Sequence, residues 1–315
     1  MSYSLSQLRI FEAVAQYESY TRAAEKLFMT QPAISMKIKQ MEEDSGLSLF
    51  ERQGKKMCLT ATGRELLRYA SRVLQAHNDM LGVMKELKGT KGGHLIISVA
   101  TTANYFVAQL LAEFSKIHDD INITLDVTNR HHLLDQLENY EPDMVIMGEP
   151  PKGCGLHSQR LMENPLVVIA TPTHPFAHTP QLLSLETVLA ERFILREKGS
   201  GTRSAIERHI HKYNTSCKNT IEMRSNETIK HAVEAGLGLG IVSLHTIQPE
   251  LESGRLVILN VEHFPIRRYW HIVMRKSKKL SPIAHEFRKF VLKEAPRFIQ
   301  KPPSDYEAYS KNSLD

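Results

Sequence analysis

The chain has 315 residues, 42% of them hydrophobic, with 40 lysines and arginines against 35 aspartates and glutamates, a formal net charge of +5 at neutral pH. That length and apolar content bury a substantial core over two or three domains, which excludes a disordered or fibrous chain. There is no run of about 18 apolar residues and no signal-peptide pattern at the N-terminus, so a cytoplasmic location off the membrane is expected; three scattered cysteines, Cys58, Cys154 and Cys217, exclude a disulfide framework and a cysteine zinc site.

Ser4-Leu5-Ser6-Gln7 has the spacing of a capping box, followed by Leu8, Phe11, Val14 and Ala15 on one face, which predicts a first helix. Thr21 is placed to cap a short second helix whose Ala23, Ala24 and Leu27 let a neighbour approach closely. Thr30 is placed to cap a third, with Pro32 in its first turn, where a missing N–H costs nothing. Ile34, Ile38 and Met41 recur at helical spacing and turn inward, which leaves Pro32, Ser35, Met36, Lys39 and Gln40 outward. Gln31 and Ser35 stand near a helix N-terminus, where the dipole favours phosphate and where a helix in a DNA major groove reads bases. On periodicity alone, any three-helix bundle shows this pattern. The segment after the third helix is more specific: Leu47–Phe50 re-enter the core, residues 51–56 form a basic turn carrying Arg52 and Lys55 around Gly54, and residues 57–60 return as a strand. The result is a wing placed to meet phosphates or the minor groove.

From Thr62 to Leu87 there is no proline, and Gly63 and Gly82 are the only glycines, so one long helix is expected. Leu66, Ala70, Val73, His77, Met80, Met84 and Leu87 make one apolar seam, and Leu67, Leu74 and Leu81 make a second. Such a stripe needs a covering helix, either from the same chain or, more economically, the same helix of a second subunit.

Gly89-Thr90-Lys91-Gly92-Gly93 marks a hinge. Beyond it, strand and helix patterns alternate: strands over 94–100, 121–127 and 144–148 with helices over 104–117 and 131–139, then strands over 166–171, 193–195, 220–224 and 239–243 with helices over 204–213 and 227–235, and finally a strand over 269–275 and a helix over 281–295. This order argues a parallel sheet with helices on its faces. Folds of this kind bind ligands at strand carboxyl ends and helix N-termini. Three stretches fit: Thr101, Thr102 and Asn104; Thr128, Asn129 and Arg130; and Arg196 to Ser204 with Gly201, Thr202 and Arg203. The last combines glycines, hydroxyls and charge at a helix start, which suits an anion, although a solvated helix cap with surface arginines would look similar. Gly236-Leu237-Gly238-Leu239-Gly240 follows a helix and precedes a strand, the reverse of a phosphate loop, and reads as a helix C-cap and tight turn.

Five segments in order resemble the N-terminal domain of LysR-type transcriptional regulators: residues 8–15 (LRIFEAVA), 21–27 (TRAAEKL), 30–35 (TQPAIS), 47–52 (LSLFER) and 59–63 (LTATG). The resemblance implies a winged helix-turn-helix over 1–61, a dimerisation linker helix over 62–89, and a two-lobed, periplasmic-binding-protein-like effector domain over 90–296. Its lobes are expected at about 90–164 with 268–296 and about 165–267, and 297–315 is a polar tail. It implies contact with double-stranded promoter DNA and assembly as a homodimer, commonly a homotetramer, with RNA polymerase as a further partner. The candidate DNA-contacting set is Thr21, Thr30, Gln31, Pro32, Ser35, Met36 and Lys39, with Arg52 and Lys55 of the wing. Some members carry arginine where this chain has Met36, so guanine readout is not carried over to it.

Further strings, among them residues 102–106, 127–130, 144–148, 162–170, 199–203, 225–227, 238–246 and 264–268, resemble the branch of that family that regulates the RuBisCO operon of carbon dioxide fixation. Arg267 and Arg268, after Pro265, are placed to approach the same cleft, and the similarity adds Asn226 to the effector set. It implies a co-inducer such as a sugar phosphate, phosphoglycolate, phosphoenolpyruvate or NADPH, with no bound cofactor or metal. No enzyme motif stands in its required context, and the histidines lack metal spacing. An α/β enzyme and a plain small-molecule-binding protein are the other classes, and the winged helix argues against both.

Overall fold

Helix α1 (Leu5–Tyr17) starts at the capping box: Ser4 Oγ accepts the Gln7 N–H at 3.2 Å and Gln7 Oε1 accepts the Ser4 N–H at 2.9 Å. The computed structural model describes residues 3–53, 56–87, 93–179 and 181–298. The chain divides into two compact units, residues 1–93 with 135–143, and residues 94–134 with 144–315.

In the first unit α1 is followed by α2 (Tyr20–Leu27), α3 (Gln31–Ser45), β1 (Phe50–Gln53), β2 (Lys56–Leu59) and α4 (Ala61–Leu87). The cap of α2 is Ser19 and not Thr21. The chain leaves α1 through Glu18 in the left-handed region, φ 48°, so Ser19 is the extended residue at the helix start, and its Oγ accepts the Arg22 N–H at 3.4 Å. Thr21 lies inside the first turn, exposed. Thr30 does occupy the N-cap position of α3, but its hydroxyl makes no capping bond.

Ile34, Ile38 and Met41 are buried to 1% exposure or less against Phe11 and Val14, and the Phe50 ring stacks at a tilt 5.3 Å from Phe11. Glu42 is spent on structure: its Oε1 accepts the N–H groups of Leu49 (2.7 Å) and Phe50 (3.2 Å), which fixes the strand entering the wing against α3. The wing strands pair antiparallel with Gln53 opposite Lys56. Thr60 Oγ1 donates to Ser48 O at 2.7 Å and accepts the Gly63 N–H at 3.0 Å, launching α4. Gly63 is required there, since a Cβ at that position would sit 2.1 Å from the Leu49 carbonyl oxygen. The first half of α4 belongs to this core through Ala70 and Leu74, and Ser71 Oγ donates to the Glu12 carboxylate at 2.7 Å. Further along, Met80, Leu81 and Met84 are exposed, as is Val73 on the outer side.

The second unit carries two five-stranded sheets. One has the order β4-β3-β5-β12-β6, from β3 (Gly93–Ala100), β4 (Ile121–Thr128), β5 (Met144–Met147), β6 (Leu156–Glu163) and β12 (Tyr269–Arg275). The other has the order β11-β7-β10-β8-β9, from β7 (Leu166–Ala170), β8 (Arg192–Arg196), β9 (Asn219–Met223), β10 (Leu239–Ser243) and β11 (Val257–Ile258). Helices α5 (Asn104–Ile117), α6 (Arg130–Glu138) and α11 (Pro282–Glu294) belong to the chain segments of the first lobe, and α7 (Leu185–Leu189), α8 (Gly201–His211), α9 (Asn226–Glu234) and α10 (Gln248–Glu252) to the second. The first lobe closes around Trp270, whose ring lies 4.7 Å from Phe106, with Phe114 and Phe287 packed edge to face at 4.9 Å.

The sheets are mixed and not wholly parallel. The β3–β5, β8–β9 and β8–β10 pairs are parallel, but β12 runs antiparallel to both β5 and β6, and β10 runs antiparallel to β7. The cause is the double crossing between lobes. The chain leaves the first sheet by β6 and re-enters it by β12, two strands that pair with each other in opposite directions. Where the crossings meet they pair as well: Asn164 N–H donates to Arg268 O (2.7 Å), Leu166 N–H to Ile266 O (3.0 Å) and Ile266 N–H to Leu166 O (2.9 Å). Gly236, φ +78°, ends α9 as the C-terminal turn before β10, with its N–H on Val233 O. The glycine run at 89–93 falls largely outside the described residues, and Gly93 itself opens β3.

Candidate functional site

On α3 the face opposite Ile34, Ile38 and Met41 is free of its own domain. Gln31, Pro32, Met36, Lys39 and Gln40 are exposed and Ser35 is half-exposed. Lys39 pairs with Glu43 at 3.5 Å, but both side chains are in solvent, so the pair holds the lysine weakly and yields it to a phosphate. With Thr30 making no cap, the first-turn N–H groups of α3 are also available to an anion. Arg52 stands exposed on β1; Lys55 lies outside the described residues.

Between the lobes of the second unit lies a cavity of about 790 Å³. Its walls are built by strand ends and helix starts. Thr101 and Thr102 follow β3; Thr128, Asn129 and Arg130 join β4 to α6, where Asn129 Oδ1 accepts the His132 N–H at 3.1 Å. Across the cleft, α8 begins at Ser200, whose Oγ accepts the Thr202 N–H at 3.2 Å, and Gly201 lies against the Arg130 side chain. Arg268, on the returning crossing, spans both sides: its Nε donates to Asn164 O at 3.1 Å and its Nη2 to Thr202 Oγ1 at 3.3 Å. Arg196 is buried and donates to the Glu197 carboxylate at 2.8 and 3.0 Å, to Thr101 Oγ1 at 3.3 Å and to Asn226 Oδ1 at 3.2 Å.

The electrostatics are one-sided. Arg130, Arg160, Arg196, Arg208, Lys212, Arg267 and Arg268 line the cavity, against Glu149 as the single carboxylate among its described lining residues. Burial, reinforced by the charge of Arg196, pushes the Arg268 guanidinium down to about 9. Burial and the neighbouring Arg208 likewise lower Arg130, with Glu149 opposing. Both stay charged at neutral pH, so each is a desolvated cation whose cost an entering anion relieves.

Nine of the residues singled out in the sequence line this cavity: Thr101, Thr102, Thr128, Asn129, Arg130, Arg196, Gly201, Thr202 and Arg268. Three do not. Asn104 opens α5 and is exposed to solvent. Arg203 follows Thr202 by about 100° around α8, and it bonds Glu207 at 2.6 Å and the Arg196 carbonyl at 3.5 Å, so it braces the helix start and is not among the residues lining the cavity. Asn226 is buried behind Arg196 and acts through it. Sequence reasoning missed Arg160, Arg208 and Lys212. A signal existed for two of them, because Gly201, Ala205, Arg208 and Lys212 repeat at spacings of three and four along one face of α8. Arg160 lies on β6, a strand not expected from the sequence.

A helix-turn-helix with a wing, followed along the chain by a two-lobed domain with a cationic cleft, is the architecture of a DNA-binding regulator. Residues 5–64 match the model for the bacterial regulatory helix-turn-helix proteins of the lysR family, and residues 88–296 match the LysR substrate binding domain; the chain belongs to the LysR family of transcriptional regulators. It is 49% identical to the RuBisCO operon transcriptional regulator of Allochromatium vinosum over 94% of this chain and 98% of the relative. It is 40% identical to the regulator CbbR of Rhodospirillum rubrum over 93% and 97% of the two chains. Among solved structures, the CcmR regulatory domain of Synechocystis PCC6803, in complex with 2-PG, superposes with a TM-score of 0.61 at 36% identity, covering 65% of this chain and 99% of that one.

Proposed function

We propose that this LysR-type regulator activates carbon dioxide fixation genes, those of the RuBisCO operon above all, in response to a small phosphorylated metabolite held in the interlobe cleft. The observation that carries the reading is the cleft's seven cationic side chains against one carboxylate. Arg196 is already matched by Glu197, but a neutral or cationic ligand would still leave the lining a net positive charge, whereas a phosphate carries two negative charges and three acceptor oxygens for it. The named roles of the relatives support the operon, and the 2-PG (2-phosphoglycolate) complex of the CcmR domain supports the ligand class. Phosphoglycolate is the first candidate; sugar phosphates, phosphoenolpyruvate and NADPH share its chemistry.

The partner is double-stranded promoter DNA, met by α3 and the wing. The chain works as a homodimer through α4, whose Met80, Leu81 and Met84 are exposed in the single chain, and as a homotetramer on the promoter, where it engages RNA polymerase. It acts in the cytoplasm, without a cofactor or an enzymatic step. No helix among the described residues is long and apolar enough to cross a membrane. Arg268 gives the ligand a mechanical lever, because it ties a crossing segment to the start of α8 in the opposite lobe. An anion drawing Arg268 towards itself changes the angle between lobes, the dimer or tetramer repacks, and the bend of the promoter relaxes.

Calorimetric titration of 2-phosphoglycolate into the full chain tests this. Binding is expected in the wild type. Arg208→Ala combined with Lys212→Ala, two changes on the exposed side of α8, should weaken it about tenfold or more, the value of one or two charge-assisted bonds. No binding of any of the four candidate ligand types, or equal affinity in the double variant, would contradict the proposal.

A further inference from the structure

The outward stripe of α3 is polar at both ends and apolar in the middle. Gln31 begins it, Lys39 and Gln40 end it, and between them stand Pro32 and Met36, the latter 67% exposed. The domain has no use for this thioether in its own packing. Ile34, Ile38 and Met41 already fill the inward face at 0–1% exposure, and Met36 stands about 160° around the helix from Ile34 and Ile38. A methionine also makes a poor polar reader. Its sulfur is a weak acceptor and it has no donor, so it cannot hold guanine, adenine or cytosine by hydrogen bonds. It is long, unbranched and polarizable, which suits contact with an apolar group of imprecise position. The major-groove edge of DNA offers one such group, the C5-methyl of thymine.

We propose that Met36 reads a thymine methyl group in each operator half-site, making position 36 a hydrophobic specificity contact at the centre of the reading face. This rests on the proposed entry of α3 into a major groove and names the base that it meets there. Pro32 and Gln40, one turn to either side, bracket the thymine, and Lys39 supplies the adjacent phosphate contact. The turn before α3 continues the apolar character, with Met29 37% exposed and Phe28 97% exposed.

The test removes the methyl alone. A promoter duplex retained by the wild-type full chain is remade with single thymines replaced by deoxyuridine, which keeps every hydrogen-bonding group and deletes one methyl. At one thymine per half-site the wild type should lose about fourfold in affinity, the value of one buried apolar carbon. Met36→Ala should bind the unmodified duplex more weakly and show no further loss with uracil at that position, while Met36→Leu, which keeps an apolar side chain, should remain sensitive. Because Met36 is exposed, neither variant should unfold. Indifference of the wild type to every replacement overturns the assignment, as does a uracil penalty that persists undiminished in Met36→Ala. So would a Met36→Ala protein that loses self-association and retains its DNA preference, since the exposed thioether would then serve a protein interface. Retardation of the unmodified duplex by the wild type tests the DNA-binding reading by itself, and its absence sinks both.

Discussion

Gly63 shows how a single residue constrains the reader. With the Leu49 carbonyl oxygen 2.1 Å from where its Cβ would be, Gly63→Ala must displace backbone, and a cost of about 1–3 kcal/mol is expected. Thermal unfolding followed by circular dichroism should show a lower transition for the winged helix, with 2-phosphoglycolate affinity unchanged. His245 makes a prediction in pH. Burial is the main cause of its lowered pKa; the nearby Arg268 adds to the lowering, while the bond from its Nε2 to Glu163 O at 3.0 Å and the Glu163 charge oppose it. The neutral ring is therefore the folded form. Its contribution is complete above the ordinary histidine value of 6.5 and is lost as pH falls through the lower folded value. Melting of the wild type should decline as pH is taken below 6.5, and His245→Gln should flatten that decline; identical pH profiles would count against it. At this scale the sequence is informative about residue type but not about direction. Arg203 and Arg208 are alike in the string, each an anion ligand or a surface charge, and only the rotation of α8 separates the brace from the cavity wall.

Among the elements, those with clear periodicity were legible to within a residue or two. The capping box fixed the start of α1, and the apolar spacing of α5 and the apolar runs of β3, β10 and β12 fixed theirs. What remained hidden is short or one-sided. Strand β6 reads as polar because it edges its sheet with exposed His157, Ser158 and Arg160, and α7, α10 and β11, at two to five residues, carry too few positions for a period to show. Strand direction is likewise invisible in a string, since it depends on where the second crossing re-enters the sheet. Helix α4 carries two uses on one pattern. Ala70 and Leu74 are consumed by the winged-helix core, and Met80 and Met84 are left exposed at 53% and 50%, where the dimer contact is proposed. Met80→Lys with Met84→Lys should shift the chain from dimer to monomer in sedimentation experiments without loss of helicity; an unchanged mass would place the interface elsewhere. For the wing, Arg52→Ala should reduce the slope of log affinity against log salt by about one.

At the level of the whole molecule, reader, long helix and sensor succeed one another along the chain, and each was recognisable from its own segment. The tie between the two lobes of the sensor was not, because it lies in contacts made by residues far apart in sequence, such as Arg268 with Thr202 and with Asn164. The account's central claim is that a phosphorylated metabolite in the cationic cleft changes how the winged helices engage the promoter. The most direct measurement is nuclease footprinting of the wild-type chain on its promoter with and without saturating 2-phosphoglycolate, alongside the Arg208→Ala, Lys212→Ala protein. The account predicts a shortened or shifted footprint, with altered cleavage at the bend, in the wild type only. A footprint unchanged by 2-phosphoglycolate and by every other candidate ligand, or one that shifts equally in the double variant, would contradict it.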